Sequence, residues 1–303
     1  MTESPAAAPS EPAPPQISTR TLVFALLRED GTVDAGELYT VAGALAMTDQ
    51  QVRLCVKRLV AEGRFTQEGR GRKAVLRATA DPTGAIAPEV EYVRHAYEQD
   101  RGLAPWDGTW HLYAFAIPET ARQARDALRD ALLHLGAAPL QGGLYVTANA
   151  IGPIVEAHAR HLDVLPSLTR LTTRDLRVGD EDDPARLATL LWPLQAVADR
   201  HEDLAALATA RLARLTGPDR PTPTERLTYA IELATAFTAA MRPDPLLPPE
   251  LLPRPWIGTR ARALAAECWD ALREEDDHAR GGLRLFRLYD DTASDAPLRD
   301  DTP

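Results

Sequence analysis

The sequence predicts an α+β chain of several domains: a basic helical domain with a β-hairpin, a central α/β domain and an all-α C-terminal domain. Apolar residues recur at helical spacing near both ends of the chain and alternate with a period of two in the middle. A length of 303 residues suits two or three domains. We expect domains at residues 17–80, 89–178 and 183–290, between a disordered arm (1–16) and a disordered tail (291–303).

The composition is that of a soluble globular protein, with 45% apolar and 26% charged residues. Because the sequence shows neither an apolar run long enough to span a bilayer nor a signal peptide, we expect a cytoplasmic protein. The two cysteines, Cys55 and Cys268, match no metal or redox spacing, and we interpret both as small buried apolar residues.

Three helices are predicted in the first domain. Leu22, Val23 and Leu26 form an apolar stripe on the first helix, and Asp34 is a suitable N-cap for the second. Thr48 is a natural N-cap for the third helix, and Gly63 suits the left-handed residue that follows its end. The face of this third helix that points away from the core is polar and basic: Gln50, Gln51, Arg53, Leu54, Lys57 and Arg58.

After Gly63, two strand-like runs, "RFTQE" and "KAVLRAT", are joined by "GRGR". Gly69 and Gly71 permit the positive φ of a tight hairpin, with Arg70 and Arg72 at its tip. Three helices and a basic hairpin form a winged helix-turn-helix. In that fold the third helix enters the major groove, and the hairpin touches the DNA backbone or the minor groove.

Positive charge is concentrated in this domain although the chain as a whole carries a net charge of −10. From Arg53 to Arg77 there are eight basic and two acidic residues, a net charge of +6. At physiological salt, electrostatic interactions are screened over ~8 Å. Binding to phosphates therefore depends on the charges nearby and not on the net charge of the whole chain. We therefore predict a DNA-binding set, with a protein-contact module or a merely solvated basic surface as alternatives. The set is Gln50, Gln51, Arg53, Leu54, Lys57, Arg58, Arg70, Arg72 and Lys73.

The middle of the chain reads as strand, helix, two strands, helix and strand. In "WHLYAFA", His111, Tyr113 and Phe115 alternate with Leu112 and Ala114, which indicates a strand. The order of elements predicts a ferredoxin-like α/β sandwich.

The last third is predicted to be all-α. Pro193 should bend or break the long helical run that begins near Asp183. Thr222, Pro223 and Glu225 form a capping-box sequence for the next helix, and a final helix is expected at 259–273.

Two segments resemble the PaaX family, repressors of phenylacetic acid catabolism. They are "PWDGTWHLYAFAIPE" with the following "RDALRDALLHLGAAPLQGGLYVTAN", and "DPLLPPELLPRPWIGTRAR". The resemblance extends over about 19–273. It implies a homodimeric repressor that binds double-stranded operator DNA, has no cofactor and responds to an acyl-CoA effector such as phenylacetyl-CoA.

A site for such an effector would combine aromatic rings with arginines, which suit an aryl group and phosphates. The candidate ligand-binding residues are Trp106, Trp110, Arg122, Arg125, Trp256 and Arg260. The alternative is that the tryptophans are core anchors and the arginines solvated surface.

A metal-dependent nuclease is the alternative function, because the central unit also resembles small ferredoxin-like CRISPR-associated nucleases. Those enzymes have an acidic metal ligand at the end of the first strand, where this sequence has Ala116. Asp107 and Glu119 are nearby but suit turns and caps, and His158 and His161 suit an ordinary helix surface. We therefore expect no catalytic residues, no metal site and no enzyme; a protein-interaction scaffold is the third alternative.

Overall fold

A computed structural model of the chain describes residues 14–79, 90–273 and 282–285. The expected tail at 291–303 and most of the expected arm lie outside these residues. The chain is α+β, with two antiparallel sheets. It divides into two compact units: Met1–Val90 with Glu202–Thr238 and Arg260–Pro303, and Glu91–His201 with Ala239–Thr259. The predicted domain boundaries stay a prediction.

The N-terminal part of the first unit contains three helices and three short strands. Their bounds are α1 Thr19–Ala25, β1 Thr32–Asp34, α2 Ala35–Ala44, α3 Asp49–Ala61, β2 Phe65–Glu68 and β3 Val75–Ala78. Helix α2 begins as predicted, because the Asp34 carboxylate accepts the Glu37 backbone N–H at 2.7 Å. Gly63 follows α3 with a φ of 67°, as the sequence predicts.

The three strands form a sheet in the order β1-β3-β2. Strand β1 was not predicted, because a run of three residues after a turn carries no periodic signal. Its partner lies far along the chain: Thr32 is opposite Arg77, and Asp34 is opposite Val75. The hairpin between β2 and β3 is longer than "GRGR", since residues 71–73 form a 3-10 turn.

The first unit also includes a short segment near the end of the chain. The Glu29 N–H donates to the Gly282 carbonyl at 2.7 Å, and the Arg284 N–H donates to the Leu27 carbonyl at 3.0 Å. Leu283 and Leu285 are buried. The acidic composition from Glu274 onward is typical of solvated surface, but these two leucines are not part of such a surface.

The second unit contains the predicted central elements. Their bounds are α4 Val90–Asp100, β4 Trp110–Phe115, α5 Arg122–His134, β5 Ala138–Pro139, β6 Leu144–Thr147, α6 Gly152–His161, β7 Leu168–Thr173 and α7 Pro184–Leu191. The sheet has the order β5-β6-β4-β7, and all neighbouring strands are antiparallel.

Both faces of this sheet are covered. Leu112 and Val146 belong to one apolar cluster, which includes Leu187 of α7. Tyr113 follows Leu112 on β4, and Tyr145 precedes Val146 on β6. These two tyrosines belong to a second apolar cluster, which lies against α5 and α6. The alternation follows from the period of two in a strand, and it is why the segment "WHLYAF" reads as apolar on both sides.

Three long helices complete the described chain: α8 Leu194–Thr216, α9 Pro223–Met241 and α10 Ile257–Arg273. Pro193 separates α7 from α8, as expected. The predicted capping box is present at α9, where Thr222 and Glu225 exchange hydrogen bonds. Among the described residues, no helix combines the length and apolar character that crossing a membrane requires.

Candidate nucleic-acid interface

Helix α3 has one buried side and one exposed side. Val52 and Leu59 are buried, whereas all six predicted contact residues of this helix are exposed: Gln50, Gln51, Arg53, Leu54, Lys57 and Arg58. Leu54 is 48% exposed although it is apolar. The outer face of α3 is therefore open to a partner and combines amide, cationic and apolar groups.

The start of α3 is held by a capping box that includes a predicted contact residue. The Thr48 hydroxyl accepts the Gln51 backbone N–H at 3.3 Å. The Gln51 side-chain oxygen in turn accepts the Thr48 backbone N–H at 2.7 Å. The oxygen of Gln51 is thus engaged by its own helix, which leaves the amide NH2 group for an outside partner.

The β2–β3 segment places its three predicted residues, Arg70, Arg72 and Lys73, on the surface. Gly69 and Gly71 have φ values of 83° and 60°, as predicted. The Arg72 guanidinium lies 3.4 Å from the Asp49 carboxylate at the start of α3. It also lies over the Tyr39 ring at 5.2 Å. Arg72 therefore links the hairpin to both α2 and α3.

The remaining cations of this surface keep their charge available. Arg53, Lys57, Arg58, Arg70 and Lys73 form no ion pair with any other residue that the structure describes. An unpaired exposed cation retains its hydration and its attraction for an anion. The interface consequently presents these charges without internal neutralisation.

A cleft of about 370 Å³ separates α3 from the hairpin. Apolar residues of α2, α3 and β3, among them Leu38, Val56 and Leu76, line it. Three of the predicted contact residues, Arg53, Lys57 and Arg70, border the same cleft. The structure therefore brings together cations from α3 and from the hairpin that are up to 17 positions apart in the sequence.

The sequence did not indicate Tyr39 or Asp49 as parts of this surface. Asp49 is an acid at the first position of a helix, where it also stabilises the positive end of the helix dipole. Tyr39 follows buried Leu38 on α2. No local pattern connects either residue to Arg72, because the hairpin returns only in the tertiary structure.

Cys55 lies on the flank of α3 and is partly buried. Burial raises the pKa of its thiol, so this cysteine stays protonated and unreactive at neutral pH. Cys268 is fully buried, and burial raises the pKa of its thiol to about 12. Cys268 is buried as the sequence analysis predicted, whereas Cys55 is only partly buried.

Of the three tryptophans in the candidate ligand set, Trp110 is buried in the second unit, and Trp106 and Trp256 are partly buried. Trp110 is 1% exposed, and it stacks on Trp192 with ring centroids 6.3 Å apart. Trp106 packs against Trp110 and donates its indole N–H to the Thr109 carbonyl at 3.1 Å. Trp256 is partly buried beside the buried His201. Trp110 thus anchors the core, and a ligand role for this set stays a prediction.

The candidate arginines lie on two helices, α5 and α10. Arg122 and Arg125 are in the first turn of α5, where both pair with Glu119. Its hydrogen bond to Glu119 raises the pKa of Arg125. Arg260 is exposed on α10. A ligand role for these three residues also stays a prediction.

The acids that the nuclease alternative would need have structural partners. The Asp107 carboxylate accepts the Thr109 N–H at 2.8 Å, which lowers the pKa of Asp107. Glu119 pairs with Arg125 at 2.7 Å. His158 and His161 are exposed on α6. Within the described ranges, no group of three or more His, Cys, Asp or Glu side chains could hold a metal ion.

Comparison with known proteins gives two matches to family models. Residues 103–187 match the PaaX protein central Cas2-like domain. Residues 192–279 match the PaaX-like protein C-terminal domain. Together the two matches cover more than half of the chain.

A solved structure, that of the uncharacterized protein Rv0674 from Mycobacterium tuberculosis, is 21% identical in sequence. The match covers 83% of this chain and 94% of that one, with a TM-score of 0.46. A search of curated proteins found no match.

Proposed function

Because the chain belongs to the PaaX family, we propose that it is a DNA-binding transcriptional regulator. We further propose that it is a ligand-responsive repressor of an operon for aromatic or acyl-CoA catabolism. The observation that supports DNA binding is the exposed face of α3, which carries unpaired cations beside a basic hairpin. The cations of this face suit DNA phosphates, and its amide and guanidinium groups suit the edges of bases.

In this proposal, α1–α3 and the β2–β3 hairpin act as a winged helix, and the middle of the chain as a ferredoxin-like unit. Helix α3 enters the major groove, where Gln50 and Arg53 suit adenine and guanine edges. Exposed Leu54 suits the methyl group of thymine. Arg70 and Lys73 contact the backbone beside the groove.

A two-fold operator follows if the protein is a homodimer. Two copies related by a two-fold axis present two α3 helices to half-sites about one helical turn apart, ~34–36 Å. The controlled operon is then expected to carry an inverted repeat in its upstream region.

The test is binding to a DNA fragment from upstream of the protein's own transcription unit. Arg53→Ala and Lys57→Ala should each weaken binding, and a lost phosphate contact lowers the salt slope by about 0.9. Arg122→Ala is the matched control, since Arg122 is an exposed arginine of α5. If the α3 variants bind this fragment as tightly as the parent and Arg122→Ala do, α3 is not the DNA-recognition helix.

The proposed effector is an acyl-CoA thioester of the phenylacetyl-CoA type. The second unit has a depression of about 640 Å³, a size usual for small-molecule sites. Leu190, Leu251 and Leu252 supply apolar lining, and Arg186 supplies a cation. A ligand that favours the non-binding conformation by about 1.4 kcal/mol weakens DNA binding tenfold.

A thermal-shift experiment with phenylacetyl-CoA, free CoA and phenylacetate tests this effector. We expect the thioester to raise the melting temperature of the parent and not that of Leu190→Glu. No shift with any of the three compounds would remove the effector from the proposal while leaving DNA binding intact. No observation favours the nuclease, and we do not propose it.

A further inference from the structure

The cleft between α3 and the hairpin has features that DNA alone does not use. All the residues that line it belong to the first unit. Those contributed by α3 follow the spacing of one helical stripe, which is separate from the buried side of the helix. They are Arg53, Val56, Lys57 and Val60. One flank of α3 therefore presents valines between cations to the cleft.

The floor of the cleft is apolar. Leu38, Ala74 and Leu76 line it and are at most 1% exposed, whereas Val60 at its border is 36% exposed. An apolar group that displaces water from such a surface gains free energy. The volume of about 370 Å³ lies at the lower end of the range usual for small-molecule sites. The cleft is thus suited to a small apolar body.

The rim of the cleft is cationic. Arg53 and Lys57 lie one turn apart on α3, and Arg70 lies on the hairpin. All three are exposed and form no ion pair with any residue in the described ranges. No acid is among the described residues that line the cleft. Because a cleft with low-dielectric walls focuses the field of such charges, it attracts an anion.

The two properties together define the ligand class. DNA phosphates suit the three cations, but a sugar–phosphate backbone offers no apolar group to the floor. A molecule with both an apolar body and an acidic group matches the floor and the rim at once. The Arg72 guanidinium lies over the ring of Tyr39, which also lines the cleft, and so links the hairpin to α2. Walls that are already held together reduce the entropy lost on binding.

We propose that this cleft binds a small amphiphilic organic anion, an aromatic or aliphatic body with one acidic group. The body lies on Leu38 and Leu76, and the acidic group meets the three rim cations. Since these cations belong to the predicted DNA-binding set, the ligand and the operator exclude one another. This competition rests on the proposed function, whereas anion binding itself does not. The site is separate from the depression proposed for the acyl-CoA effector in the second unit.

Fluorescence titration with 8-anilinonaphthalene-1-sulfonate (ANS), an aromatic anion, tests the site. N-phenyl-1-naphthylamine, which has the same rings without the sulfonate, is the neutral control probe. We expect saturable binding of ANS, and Arg53→Met and Lys57→Met should each weaken it about two- to fivefold. Binding of the neutral probe should not change, because only a charge contact is lost. The inference is overturned if ANS binds these variants as tightly as it binds the parent.

A charge placed at the border of the cleft locates the bound probe. Val60→Glu adds a negative charge there and should weaken ANS binding about fivefold or more. Ile154→Glu is the matched control, because Ile154 is a 50% exposed β-branched residue of α6 in the second unit. Circular dichroism checks that both variants fold. Equal binding of ANS by the two folded variants would place the probe elsewhere and refute the inference.

Displacement of ANS distinguishes the two kinds of apolar body. 2-Naphthoate displaces the probe if the cleft takes an aromatic acid, and octanoate displaces it if the cleft takes an aliphatic acid. Octan-1-ol, which lacks the acidic group, should displace it less well than octanoate. If neither acid displaces ANS, the cleft is not a site for organic acids and the inference fails.

Competition with the upstream DNA fragment separates this inference from the proposed function. ANS at about ten times its Kd should weaken DNA binding about elevenfold, because only one of the two can occupy the protein. Unchanged DNA affinity at that concentration would refute mutual exclusion. A protein that binds ANS in the cleft but binds no DNA would refute the proposed function and leave the anion site standing.

Discussion

Gln50 and Gln51 have the same side chain on the exposed face of α3 but different surroundings. The Gln51 oxygen accepts the Thr48 backbone N–H, whereas the Gln50 side chain makes no hydrogen bond with the residues that the structure describes. Both were predicted to contact DNA. Of the two, Gln50 has its whole amide available for a base edge.

We predict that Gln51→Ala lowers the free energy of unfolding by about 0.5–1 kcal/mol, because the capping box is lost. Gln50→Ala is the matched control and should change stability by less than about 0.5 kcal/mol. Urea denaturation measures both values. The capping role of Gln51 would be refuted if the two variants were equally stable.

At the scale of the element, α9 has the same kind of start as α3, but with a carboxylate. Glu225 accepts both the backbone N–H and the hydroxyl of Thr222 at 2.7 Å. These hydrogen bonds lower the pKa of Glu225 below its ordinary value of 4.5. A lowered pKa in the folded state means that the bonds stabilise the protein above pH 4.5 and lose this effect as the pH falls through the folded value.

We therefore expect the parent to lose more stability on acidification than Glu225→Gln, which keeps the acceptor oxygen but cannot titrate. The measurement is urea denaturation at neutral pH and at several values below 4.5, the ordinary pKa of Glu225. Thr222→Ala should weaken the same pH dependence, because it removes the hydroxyl donor while the backbone N–H of residue 222 still donates to Glu225. Parallel pH profiles for the parent and Glu225→Gln would contradict this account.

On the scale of the whole molecule, positive charge is concentrated in one stretch of the chain, and a segment near the C-terminus belongs to the same compact unit as that stretch. The net charge of −10 coexists with a stretch of +6 from Arg53 to Arg77. Screening over ~8 Å lets the basic surface act as a separate electrostatic unit. A segment near the C-terminus, residues 282–285, pairs with Leu27 and Glu29 in the same compact unit as this surface.

We predict that this late segment is needed for the stability of the first unit. Leu283→Ala removes a side chain that is 4% exposed and should lower the free energy of unfolding by about 2–5 kcal/mol. Leu190→Ala, at a 60% exposed position, should change it by less than about 0.5 kcal/mol. Thermal and urea unfolding measure both. A Leu283→Ala variant as stable as the parent would show that the segment is dispensable.

The sequence by itself determined the helices, their caps and the main strands. Apolar spacing and residues such as Asp34, Thr48 and Glu225 act within a few positions of the chain, so their effects are visible locally. It also identified the outer face of α3 and the hairpin cations, because amphipathic spacing defines which side of a helix is exposed.

Only the tertiary structure decided which distant residues meet. Strand β1 depends on backbone bonds to β3, and Arg72 meets Tyr39 and Asp49 through the returning hairpin. The burial of Trp110 against Trp192 and of Leu283 near Leu27 likewise follows from packing across many residues. Such contacts depend on how the chain folds back on itself, and no periodic pattern in the sequence encodes the partner of a long-range pair.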